Sequence, residues 1–77
     1  MRYFFDVDDG KETMRDETGH DCSRDELRRQ AIAALPELAK DELPNGDHNL
    51  FIVRVRDEGG NYVFQASLEL QARWLSD

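Results

Sequence analysis

The chain predicts an α+β domain in which one helix packs on one face of a four-stranded antiparallel sheet, in the order ββαββ. Three observations carry that expectation. The dipeptides Asp9-Gly10 and Gly59-Gly60 each lie between segments rich in aromatic and β-branched residues, the pattern of a hairpin closed at glycine. Between the two hairpins, Ser23-Arg24-Asp25-Glu26 has the Ser-x-x-Glu spacing of a capping box, in which each side chain satisfies a backbone N–H of the first helical turn.

The first strand is predicted over residues 2–8 and its partner over 11–16, joined by a two-residue turn at Asp9-Gly10. That register sets Phe5 opposite Met14 and Tyr3 opposite Asp16 on an apolar face, with Phe4 opposite Arg15 and Arg2 opposite Glu17 on the other. Asp16-Glu17-Thr18-Gly19 reads as a turn with Gly19 as its left-handed residue. A helix then starts at about Ser23. Leu27, Ala31, Ala34, Leu35 and Leu38 fall on one stripe at 3.6 residues per turn, with Glu26, Arg29, Glu37 and Lys40 opposite. Pro36 sits on the polar side, where losing one backbone bond bends the helix around its sheet. Leu43-Pro44-Asn45-Gly46 ends the element.

Residues 50–57 and 61–72 form the second hairpin. Centring it on Gly59-Gly60 sets Val55 opposite Phe64, Val53 opposite Ala66 and Phe51 opposite Leu68, and all six share one face. Leu70, Ala72 and Trp74 continue that parity and are expected to cover the end of the core. The first and third strands are richest in large apolar residues, so the sheet order is predicted as 2-1-3-4, which makes every neighbour antiparallel.

With 77 residues the chain is one domain, residues 1–77, small enough to gain stability from self-association. Its single cysteine, Cys22, excludes an internal disulfide and fits a reducing cytoplasm. No leader-like or membrane-spanning run is present, which points to a cytoplasmic protein. The formal charge of −7 is uneven: residues 1–26 hold nine acids and four bases, residues 27–77 eight acids and six bases. Such a balance repels nucleic acid and anionic lipid overall.

Asp6-Val7-Asp8 after an apolar strand resembles the opening of haloacid dehalogenase-type phosphatases, in which one carboxylate attacks phosphorus and the other works with Mg²⁺. That chemistry needs a parallel sheet bringing a lysine and further carboxylates to the strand ends, for which this chain has no room. A calcium loop counted from Asp6 places Lys11 where glycine is required. A solvated hairpin tip is the favoured reading, and Asp6 and Asp8 are expected to tolerate replacement by Asn together. His20, Asp21, Cys22 and His48 include zinc-ligand types, but their spacing matches no zinc motif. No catalytic residue, cofactor or metal is assigned, and the chain is read as no enzyme.

The parity that buries Phe5 and Val53 sends Arg2, Phe4, Ile52, Arg54, Arg56 and Val63 to the opposite, open sheet face, with Arg15, Asp6, Glu17 and Glu69. That face is locally basic and partly apolar. A homodimer or small-protein interface centred on Phe4 and Ile52 is the first reading, with Arg54 and Arg56 meeting Asp6 or Glu69 of a second copy. A platform for single-stranded nucleic acid is the alternative, and a solvent-facing sheet with scattered apolar residues weighs as much as the interface.

In its layout, with "RYFFDVDDG", "RDETG", "AIAALPELAKDELPNGD" and "FIVRVRDEGGNYVFQASLEL", the chain resembles short uncharacterised alphaproteobacterial proteins, frequent in rhizobia, grouped as a domain of unknown function. That resemblance implies no activity, cofactor or site residue. More loosely, the opening hairpin and helix are similar to HicB-type antitoxin domains, which implies a dimer and a small protein partner.

Overall fold

Aromatic and β-branched residues fill β1 (Arg2–Asp8), which the computed structural model places beside a broken edge made of β2 (Thr13–Met14) and β3 (His20–Asp21). The structure describes residues 1–42 and 46–76. Helix α1 (Arg24–Glu42) follows, and then the long hairpin of β4 (His48–Arg56) and β5 (Tyr62–Gln71). All pairs are antiparallel, in the order β2-β1-β4-β5, with β3 also pairing β1. Among the described residues the fold is therefore α+β with one helix, but its sheet has five strands.

The expected second strand over 11–16 is the main departure. Val7 pairs with Met14 and Asp8 with Thr13 across a four-residue loop, while Arg2 pairs with Asp21 and Tyr3 with His20. Asp9 explains the wider loop, because its Oδ1 accepts from the N–H groups of Lys11 (2.9 Å) and Glu12 (3.0 Å), a local turn that competes with tight pairing. Met14 consequently sits opposite Val7 rather than Phe5, and is 51% exposed.

The capping box forms as read: the Ser23 N–H donates to Glu26 Oε1 and the Glu26 N–H to Ser23 Oγ, both at 3.2 Å. Leu27, Ala31 and Leu35 are buried with Ala39, and Ala34 and Leu38 pack beside them. Pro36 lies inside the helix on its exposed side. The helix-ending residues read at 43–45 lie outside the described residues.

In the second hairpin, Phe51, Val53 and Val55 pair with Leu68, Ala66 and Phe64 as the sequence indicates. Near the turn the register shifts at Val55/Arg56, so that Arg56 faces Tyr62 and Val63 becomes an extra residue. Asp57 and Asn61 then close a three-residue loop, and Gly60 takes the left-handed conformation at φ 85° that this loop requires.

The core lies between α1 and the sheet, with Phe51, Val53 and Val55 at its centre. Pairing of β1 with β4 stops at Asp8 and Ile52, so β4 and β5 continue as a two-stranded ribbon. The chain is accordingly long, 53 × 22 × 19 Å, with a radius of gyration of 14.3 Å. A compact chain of this size has about 11–12 Å. Trp74 and Leu75, beyond the ribbon, are 92% and 87% exposed and do not cover the core. No described helix is long and apolar enough to cross a membrane.

Candidate functional site

Strand alternation turns Asp6 away from α1, onto the open face of the sheet, between Phe4 and Asp8. Arg56 ends β4 directly opposite Phe4, one pairing step along the same face. Its guanidinium crosses the Phe4 ring at 4.7 Å from the centroid. It reaches Asp6 with two bonds, Nε to Oδ2 at 2.9 Å and Nη2 to Oδ1 at 3.2 Å. The pair is buried, Asp6 being 4% and Arg56 7% exposed.

Asp16 completes the centre. It occupies the gap between β2 and β3, on the edge of β1 away from β4, where among the described residues no strand pairs with Phe5. Its carboxylate takes over that task, with Oδ2 accepting the Phe5 N–H at 3.0 Å and Oδ1 the N–H groups of Thr18 (3.0 Å) and Gly19 (3.1 Å). Its own N–H donates to Asp6 Oδ1 at 2.9 Å, and its carbonyl accepts from Arg56 Nη2. Tyr62, opposite Arg56 because of the register shift, donates its hydroxyl to Asp6 Oδ2 at 3.1 Å. Gly19 fits over Phe4 because it lacks a side chain: a Cβ there would lie 2.8 Å from Phe4 Cε1, at a φ of 76°.

This saturation sets the electrostatics. Burial alone would raise the Asp6 pKa, but the bonds from Arg56, the Asp16 N–H and Tyr62 outweigh it and hold the carboxyl below the usual carboxylate range. Asp16 is likewise lowered: burial opposes ionisation, and the N–H groups of Phe5, Gly19 and Thr18 overcome it. Both groups are thus more acidic folded than unfolded. Their contribution to stability is complete above the unfolded carboxylate pKa of about 3.9 and is lost as pH falls through the lower folded values. Urea midpoints should hold from pH 7 to about 5 and drop below about 4. A midpoint as high at pH 3 as at pH 7 would contradict the network's role.

A nucleophilic carboxylate must present an oxygen to a substrate, whereas both Asp6 oxygens are occupied inside the fold. Asp8 accepts the Gly10 N–H at 2.8 Å, holding the loop. The expected tolerance of Asp6 to Asn replacement is therefore corrected, because Asp6 is the counter-charge of a buried arginine and not a hairpin-tip acid.

Of the six residues read on the open face, the structure keeps Arg2, Phe4, Ile52, Arg54 and Arg56 there. Arg54 Nε donates to Gln65 Oε1 at 2.9 Å, and Ile52 is half-buried between Asp8 and Ser67. Arg2 is exposed, its Nη1 donating to the Thr18 carbonyl at 2.7 Å. Val63 is corrected: the register shift turns it toward the helix side, where it packs against the core and lines a cleft with Arg24, Leu27 and Arg28. Arg56 is also corrected, since its Asp6 partner belongs to its own chain. Asp16, read only as a turn residue opposite Tyr3, and Tyr62 were not linked to Asp6, because only the broken edge and the shifted register bring them to it.

The imidazoles and the thiol lie apart. His20 Nε2 is 3.3 Å from Gln30 Nε2, and His48 Nε2 is 2.6 Å from Glu69 Oε2 near the far end of the ribbon. Asp21 pairs with the Met1 ammonium at 2.9 Å. Cys22 is buried, which pushes its thiol pKa up and disfavours the reactive thiolate. Among the described residues, no group of three or more His, Cys, Asp or Glu is arranged to hold a metal ion.

No curated protein and no solved structure matches the chain. The looser likeness to HicB-type antitoxin domains thus gains nothing from these comparisons. A family model does match, over residues 2–69, which include the buried centre and nearly all of the sheet. On that match the chain belongs to the family described as "Domain of unknown function (DUF6894)".

Proposed function

We propose that this domain is a small binding or regulatory module without chemistry of its own, acting as a homodimer through its sheet. The observation that carries this reading is the apolar surface left on and around the ribbon. Leu50 is 37%, Leu68 41%, Trp74 92% and Leu75 87% exposed, in a chain whose core is small. The acids that resembled a reactive pair support it further, because Asp6 is committed to Arg56 and Asp8 to the Gly10 N–H of the first loop. A second copy that covers part of this surface adds the apolar burial a short domain lacks.

The wild-type chain should run as a dimer by light scattering at high micromolar concentration. A monomer under those conditions would remove the homodimer. Single-stranded nucleic acid is the second reading, favoured by Arg54 on the open face and by Tyr62, which is 58% exposed. Its affinity would fall steeply with salt, whereas an apolar contact would respond little.

A further inference from the structure

We infer that two copies join β5 to β5, antiparallel, about a two-fold axis through Ser67, so that two five-stranded sheets become one. This rests on the self-association proposed above and assigns its seam.

Strand order β2-β1-β4-β5 leaves the outer edge of β5 without a neighbouring strand among the described residues. Natural edges are guarded by lysine, proline or inward charge, because unpaired N–H and C=O groups invite another strand. β5 carries none of these guards over its ten residues, and its one charged residue is Glu69. The irregularity at Val63 lies at its first turn and leaves Phe64–Leu70 regular. From Tyr62 to Ser76 there is one acid, Glu69, and one base, Arg73, so the net charge of −7 resides elsewhere and does not oppose contact here.

A two-fold axis across an antiparallel seam stands perpendicular to the sheet, so each residue meets one on the same face. Centring it on Ser67 places Ala66 opposite Leu68 of the second copy, and Phe64 opposite Leu70, all on the helix side. On the open side Gln65 meets Glu69 of the second copy, and Ser67 meets itself. Apolar residues face apolar ones and polar residues polar ones. The two Glu69 side chains do not face each other. Each approaches instead the Gln65 that accepts from Arg54 Nε at 2.9 Å, so an acid is brought toward a cation. The same seam covers Leu68, and it sets the two-stranded ribbon, which is marginal by itself, against the part of the second copy where β5, β4 and β1 pair.

Two variants at exposed Ser67 test the seam, with the wild type as control because its only thiol, Cys22, is buried. Under mild oxidation Ser67→Cys should convert nearly completely to a disulfide-linked dimer, since paired Cα atoms across such a seam lie about 4.5–5.5 Å apart. Ser67→Arg sets like charges face to face and should give a monomer with wild-type circular dichroism. If the wild type is a dimer while Ser67→Arg remains one and Ser67→Cys stays unlinked, the seam is wrong and self-association stands. If the wild type is monomeric, both proposals fail.

Discussion

Asp6→Asn should destabilise the domain by about 3–5 kcal/mol, because it leaves the buried Arg56 charge without its counter-charge. Asparagine keeps the shape and one acceptor oxygen, but its amide nitrogen cannot accept from either Arg56 Nη2 or the Asp16 N–H. A single core below about 70–80 residues rarely supplies more than roughly 3–5 kcal/mol, so much of the variant should be unfolded at room temperature. Asp8→Asn is the control. Its oxygen still accepts the Gly10 N–H, and the change should stay within about 0.5 kcal/mol. Urea unfolding followed by circular dichroism separates the two, and equal midpoints would contradict the assignment of Asp6.

Phe51→Ala should remove about 3–5 kcal/mol and Leu35→Ala about 2–5 kcal/mol, through lost apolar burial and the cavity left behind. Phe51 is 1% exposed on β4 and Leu35 4% exposed on α1, and both belong to the one core that joins helix to sheet. Leu68 sits directly opposite Phe51 on the same face, yet it is 41% exposed. In a monomer, Leu68→Ala should therefore cost much less than Phe51→Ala. Similar thermal midpoints for wild type and Phe51→Ala would place Phe51 outside the core.

Elements with a strong local signal were legible in the sequence. The capping box, the Leu27-Ala31-Leu35 stripe and the pairing of Val53 with Ala66 depend on residues near one another or on a period of two, and each is found as read. The broken first edge was not legible, because Asp9 and Asp16 act there through hydrogen bonds to backbone groups that no periodicity records. The open face failed for a related reason. One extra residue at Val63 reverses that side chain and brings Tyr62 across from Arg56, and a strict alternation has no place for it. The Asp6–Arg56 pair spans fifty positions in sequence, and both residues were noted on the open face. Their contact depends on the diagonal offset between β1 and β4, which alternation alone does not specify.

A double-mutant cycle on Asp6→Asn and Arg56→Met tests most directly whether this acid is one half of a buried pair. The account predicts that each single variant is strongly destabilised and that the double variant loses clearly less than the sum, with a coupling of about 1–3 kcal/mol, since removing both charges leaves no buried ion unpaired. Losses that simply add, or an Asp6→Asn variant as stable as wild type, would contradict it.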